Sequence, residues 1–141
     1  MSDIQTLRRV LGETRCLAVV GLSADELRPS HFVAKYMQAH GYRVIPVNPG
    51  YEETLGEKCY PDLASIPEKV DMVDVFRRPE QCPDIARQAV AIGARFLWLQ
   101  IGVVSEAARR IAADAGLEVV MDRCIKIEHA RLFGGQTRTD A

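Results

Sequence analysis

A chain of 141 residues that is 48% hydrophobic and 26% charged, with a net charge of −1, is long enough for one domain with a real core and falls in the ordinary soluble globular class. The near-neutral balance argues against nucleic acid as a partner, because a polyanion calls for an excess of Lys and Arg. The apolar runs are strand-sized, short of the roughly 20 residues of a membrane span. Met1-Ser2-Asp3 leads straight into a polar amphipathic segment and not into a secretory signal, which points to the cytoplasm.

The first predicted element is a helix with Ile4, Leu7, Val10 and Leu11 on one face, capped by Ser2 or Asp3 and ending near Gly12. Strand one follows at about residues 16–21 and stops at Gly21. Arg28-Pro29-Ser30 opens a second helix, since proline suits a first turn where its missing N–H is not needed. That helix carries Val33, Ala34, Tyr36 and Met37, stops at Gly41, and hands over to strand two, which runs to about Val47 before Asn48-Pro49. An apolar run ending in glycine, then a helix, then a second apolar run is the pattern of a βαβ unit in a parallel sheet. Backbone amides at the tip of strand one and the positive end of the helix face one opening, where an anion is favoured.

Between Pro49 and Pro67, glycines and prolines break the chain into a loop-rich crossover, with a short edge strand expected at Glu57-Lys58-Cys59-Tyr60 and a helical turn near Leu63. Strand three is Val70 to Phe76, and Arg77-Arg78-Pro79 opens a helix that runs to about Ile92. Strand four, Phe96 to Gln100, ends at Ile101-Gly102; Ser105 caps the next helix, which Gly116 stops. Strand five is Leu117 to Met121, and Asp122-Arg123-Cys124 leads into a last helix ending near Phe133. The pattern predicts an α/β, Rossmann-like doubly wound, mostly parallel five-stranded sheet with helices on both faces and strand one near its centre. Residues 1–141 are expected to form a single domain with a core of about 15–133 and a frayed tail at 136–141. If the chain changes direction across the sheet after strand two, strands one and three become neighbours, and the Gly21 loop lies beside Phe76-Arg77-Arg78.

The anion site lacks the marks of two common nucleotide binders. No second and third glycine follow Gly21, and strand two ends in Asn48 instead of an acidic residue, so the dinucleotide fingerprint is missing; no Gly-Lys-Ser/Thr triplet follows a strand, so a P-loop is excluded. What remains is one glycine, the Ser23 hydroxyl, main-chain amides and the guanidinium groups of Arg28, Arg77 and Arg78, whose forks suit phosphate. These residues by themselves leave open which phosphate compound is bound.

Taken together, Val19-Val20-Gly21-Leu22-Ser23, Arg28-Pro29-Ser30, Gly41 to Pro49, Val70 to Arg77, Trp98 to Val103 and Asp122-Arg123-Cys124 resemble the small stand-alone CoA-binding proteins. Their fold is similar to that of the CoA-binding domain of the succinyl-CoA synthetase α-subunit. The resemblance implies coenzyme A as the cofactor, with its phosphates near the Gly21 loop. The binding positions it implies are Gly21, Leu22, Ser23, Arg28, Ser30, Asn48, Pro49, Phe76, Arg77, Ile101 and Gly102. The phosphorylated histidine of the related synthetases belongs to a further domain that has no counterpart in this sequence.

Other residues are weighed against plain structural roles. Gly21 is read as a site of close ligand approach in preference to a mere turn. His31 is read as a surface helix residue, with a phosphate contact as the alternative, and His129 as solvated or packing. Asp74 interrupts an apolar strand and needs a partner, expected among backbone amides near the first loop, whereas Asp71 is expected to be solvated. Cys16, Cys59 and Cys82 are read as separate packed thiols. Cys124 defaults to the same role, with a mixed disulfide to the CoA thiol as the reactive alternative. No serine elbow or metal-ligand cluster is legible. The expectation is therefore a non-catalytic protein that binds CoA or an acyl-CoA, with no metal, no membrane and an unidentified protein partner. The alternatives are an NAD(P)-binding redox sensor or oxidoreductase, and the CoA-binding subunit of an acyl-CoA ligase.

Overall fold

The structure, a computed structural model, describes residues 3–137; Ser2 as a cap and the tail at 138–141 lie outside the described residues. The elements in chain order are α1 (Ile4–Glu13), β1 (Cys16–Val20), α2 (Pro29–Ala39), β2 (Arg43–Val47), β3 (Glu53–Thr54), β4 (Glu57–Lys58), β5 (Met72–Val75), α3 (Cys82–Ala91), β6 (Phe96–Leu99), α4 (Glu106–Asp114), β7 (Glu118–Val120) and α5 (Ile125–Phe133). Five strands form one parallel sheet in the order β2-β1-β5-β6-β7, and helices pack on both faces, so the Rossmann-like class expected from the sequence is borne out. The direction of winding changes between β1 and β5, which makes these two strands neighbours. Strand β1 lies next to the centre, as expected, and β5 is the central strand. The strand with the buried aspartate thus occupies the middle of the sheet, because the chain adds three strands beyond β1 on one side and one on the other.

Strand alternation divides the core into two layers. Leu17 and Val19 of β1, Met72 of β5 and Phe96 and Trp98 of β6 face α1, α2 and α5, where they meet Leu7, Val33, Met37 and Ile125. Ala18, Val20, Val73, Val75, Leu97 and Leu99 face α3 and α4 and meet Ile85, Ala86, Ala108 and Ala112. Trp98 is fully buried and satisfies its indole by donating from Nε1 to the Arg123 carbonyl at 2.9 Å, which ties β6 to the segment leading into α5. Helix starts follow from local chemistry: Asp3 accepts from Thr6 N at 2.7 Å, and Ser105 accepts from Ala108 N at 3.1 Å.

The crossover departs from expectation in detail. Glu57–Lys58 pairs antiparallel with Glu53–Thr54 in a separate two-stranded ribbon, and only Tyr60 reaches the main sheet, where it makes one parallel bridge to Val47. Asp71 is not simply solvated. Its Oδ2 accepts from the amides of Arg15 and Cys16, both at 3.0 Å, and so fixes the start of β1 against β5. Among the described residues no helix is long and apolar enough to cross a membrane.

Candidate functional site

At the carboxyl ends of β1, β5 and β6 the winding change leaves a cleft of about 640 Å³, within the roughly 300–1,000 Å³ of small-molecule sites. Gly21 and Ser23 enter it from the loop after β1, Arg28 and Ser30 from the start of α2, and Asn48 from the tip of β2. Phe76 and Arg77 enter after β5, Ile101 and Gly102 after β6. Of the positions expected from the sequence, Leu22 and Pro49 do not line it. Leu22 is fully buried in the core, and Pro49 is exposed on the far side of the β2 tip, bordering other depressions.

The first loop is held by its own side chains. Ser23 N donates to Ser30 Oγ, Asp25 N to Ser23 Oγ and Leu27 N to Asp25 Oδ1, each at 3.0 Å. His31 is neither a surface residue nor turned to the cleft: it is buried, and its Nδ1 donates to the Ser23 carbonyl at 2.8 Å, since a carbonyl only accepts. Asn48 donates from Nδ2 to the Leu22 carbonyl at 3.1 Å and accepts from Gly50 N at 2.9 Å, pinning the tips of β1 and β2 together.

Gly21 has a reason to be glycine even without a ligand. Its φ is +90°, and a Cβ there would lie 2.5 Å from the Phe76 carbonyl oxygen and 3.2 Å from Arg77 Nε. The loop and the end of β5 are therefore in contact, and that contact brings Arg77 to the cleft.

The charges favour an anion. Arg28 is exposed with Asp25 at 3.9 Å, while Arg77 and Arg78 have no carboxylate partner among the described residues. Helix α2 starts with Arg28 at its N-cap and Pro29 in its first turn, with no side-chain capping bond, so its positive end is left for an acceptor from elsewhere. Guanidinium groups and an uncapped helix start in an open cleft fit a polyphosphate ligand such as CoA.

Two residues of the cleft acquire importance only in three dimensions. Gln100 is 3% exposed, lines the cleft, donates from Nε2 to Asp74 Oδ1 and accepts from Ile125 N at 3.3 Å. Its signal in the sequence was a polar residue closing an apolar strand at the ligand edge. Asp74 was expected to bond backbone amides; it bonds Gln100 instead, because its side chain points to the α2–α5 face and not along the sheet edge. Tyr51 reaches the cleft from the crossover, and nothing in its local sequence marked it.

Cys124 also lines the cleft and is half-buried, whereas Cys16, Cys59 and Cys82 are buried. Burial pushes the Cys16 thiol up to about 12 and raises those of Cys59 and Cys82, so these three are poor thiolates. His129 is a packing residue: it is buried between α2 and α5, with its Nδ1 2.8 Å from the Tyr36 hydroxyl.

An open parallel sheet with arginines and a helix start gathered at its winding change defines a Rossmann-like ligand-binding domain. Comparison with known proteins narrows the class: residues 15–130 match the model of the CoA binding domain family, and the chain belongs to that family. It is 43% identical over 124 residues to the uncharacterized protein YneT of Bacillus subtilis (strain 168), across 88% of this chain and 92% of that protein. Acetate–CoA ligase (ADP-forming) I of Archaeoglobus fulgidus is 28% identical over an alignment of 123 positions that covers 79% of this chain but 18% of the ligase. A solved structure of a hypothetical protein from Pyrococcus horikoshii OT3 superposes with a TM-score of 0.92 at 40% identity, covering 94% of each chain.

Proposed function

We propose that the cleft binds coenzyme A or an acyl-CoA without carrying out chemistry of its own. The observation that carries this reading is the presence of Arg77 and Arg78, without carboxylate partners, beside the uncapped start of α2 in a chain of the CoA binding domain family. Phosphates are assigned to Ser30 and the arginines beside the Gly21–Ser23 loop, which offer a hydroxyl and guanidinium forks. The apolar lining from Phe76, Val33 and Val103 suits the less polar parts of the ligand. CoA's reactive group is a thiol that carries acyl groups; the part of this chain is to bind and orient it.

Calorimetric titration tests the reading. CoA should bind more tightly than dephospho-CoA and far more tightly than NAD; equal or stronger binding of NAD would reject it in favour of a dinucleotide protein. The similarity to a segment of acetate–CoA ligase supports a second role, as the CoA-holding subunit of an acyl-CoA ligase. Co-purification of a ligase subunit with the tagged chain from its native extract would support that role, and its absence would leave the stand-alone binder.

A further inference from the structure

Asp74 lies at the centre of the sheet and is 0% exposed. Its Oδ1 accepts from Gln100 Nε2, and its Oδ2 has no hydrogen-bond partner among the described residues. Gln100 in turn reaches two places: it forms part of the cleft floor, and its Oε1 takes the amide of Ile125, the first residue of α5. Cys124, the N-cap of α5, gives no side-chain capping bond, so Gln100 supplies the acceptor that the helix start lacks. Which end of the Gln100 carboxamide faces α5 is decided by Asp74, because an acceptor at Oδ1 requires the NH2 group on that side.

We propose that Asp74 is a positioning residue for the cleft, acting through Gln100 on the first turn of α5, and that it takes up a proton from solvent when an anionic ligand fills the cleft. The proton goes to Oδ2, the oxygen without a partner. A buried carboxylate with one lone acceptor bond is costly, and a polyanion above Gln100 expels water and adds negative charge, both of which favour the neutral acid. Among the described residues no cation pairs with Asp74 itself. The register neighbours are Val19 of β1 and Trp98 of β6, and α2 and α5 cover the same face with Val33, Ala34 and Ile125. The titratable and charged side chains of the cleft are Tyr51, Cys124, Arg28, Arg77 and Arg78, and His31 is tied to the Ser23 carbonyl. Consistent with this, burial pushes the Asp74 carboxyl up to about 7 against the smaller opposing effect of the Gln100 bond.

The sign follows from linkage. If the liganded protein holds the proton more firmly than the free protein, affinity is highest at low pH and falls as pH rises through the free-state value. This inference rests on CoA as the ligand, and the experiment separates the two. CoA is titrated calorimetrically into wild type and Asp74→Asn in two buffers of different ionisation enthalpy from pH 6 to 8.5. Because a phosphomonoester also titrates near pH 6, the difference between the proteins is the readout. The wild type should take up a fraction of a proton more than the variant near pH 7, and its affinity should fall several-fold more toward pH 8.5. Binding with equal proton exchange in both proteins overturns the inference and leaves the CoA reading standing; absence of CoA binding overturns that reading itself. On unsubstituted protein without ligand, carbon NMR of the Asp74 carboxyl and the Ile125 amide shift should titrate together near pH 7. A carboxyl midpoint below 5, or an Ile125 amide that does not follow it, overturns the linkage whatever the ligand.

Discussion

At the scale of single residues, the site is set by atoms with no room to move. Gly21→Ala would place a methyl group 2.5 Å from the Phe76 carbonyl oxygen at a φ of +90°. Since neither a backbone carbonyl nor a left-handed φ yields cheaply, the expected loss is about 2–4 kcal/mol of stability, measured by urea unfolding, with CoA binding lost in parallel. A loss below about 0.5 kcal/mol would mean that the loop and β5 are not in the contact described. Cys124 offers a milder probe. As the half-buried thiol of the cleft, it should be alkylated by iodoacetamide well before Cys16, Cys59 and Cys82, and saturating CoA should slow its modification. Peptide mass mapping decides this, and CoA leaving the Cys124 rate unchanged would place the ligand elsewhere.

At the scale of elements, α5 matters most, since its N-cap Cys124 lines the cleft and its body is held by α2. The grip is a cluster: Tyr36 of α2 and His40 at its C-cap stack with ring centroids 3.9 Å apart, and His129 of α5 meets Tyr36 and lies against Phe133. Next to it Glu128 is buried, ion-paired to Arg131 and 3.6 Å from Arg123. Burial, then the nearby His40, lowers the affinity of His129 for a proton below that of an ordinary histidine, whose value is 6.5. The folded state therefore binds fewer protons at His129 than the unfolded chain does. Its contribution is present above about pH 6.5 and is lost as pH falls below that value. Thermal unfolding from pH 8 to 5 should show the wild type losing more of its melting temperature than His129→Phe. Equal losses would mean that His129 stays neutral in both states or is charged in both.

At the scale of the whole molecule, function is a matter of where the sheet changes its winding. Loops from β1, β5 and β6 converge there, and three arginines from one loop and a helix start share one cleft although the chain carries a net charge of −1. Charge is concentrated locally, which suits a small polyanion and not a long one. Arg77→Ala and Arg28→Ala should each weaken CoA binding by about tenfold, with a smaller dependence on ionic strength than the wild type. The same titrations with adenosine, which has no phosphate, should be unaffected by either change. Equal weakening of adenosine would point to a collapsed cleft and not to lost phosphate contacts.

What the sequence determined by itself was whatever depends on local pattern. The apolar runs gave the five main strands, the caps and glycines gave the helix limits, and the end of each strand marked the ligand edge, because backbone direction alone decides which side of a parallel sheet collects the loops. The motifs carried the CoA binding domain resemblance, which the family match bears out. Only the tertiary structure decided which face each polar residue of the interior would take. Asp74 found Gln100, which lies just past the end of the next strand and 26 positions away in sequence; Asp71 reached the amides of Arg15 and Cys16; and His31 turned inward to the Ser23 carbonyl. Packing drew Leu22 into the core and left Pro49 off the cleft wall. The physical reason is common to all of these: strand and helix periods are written in neighbouring residues, whereas a buried polar atom is satisfied by whatever the packed fold brings within hydrogen-bond reach.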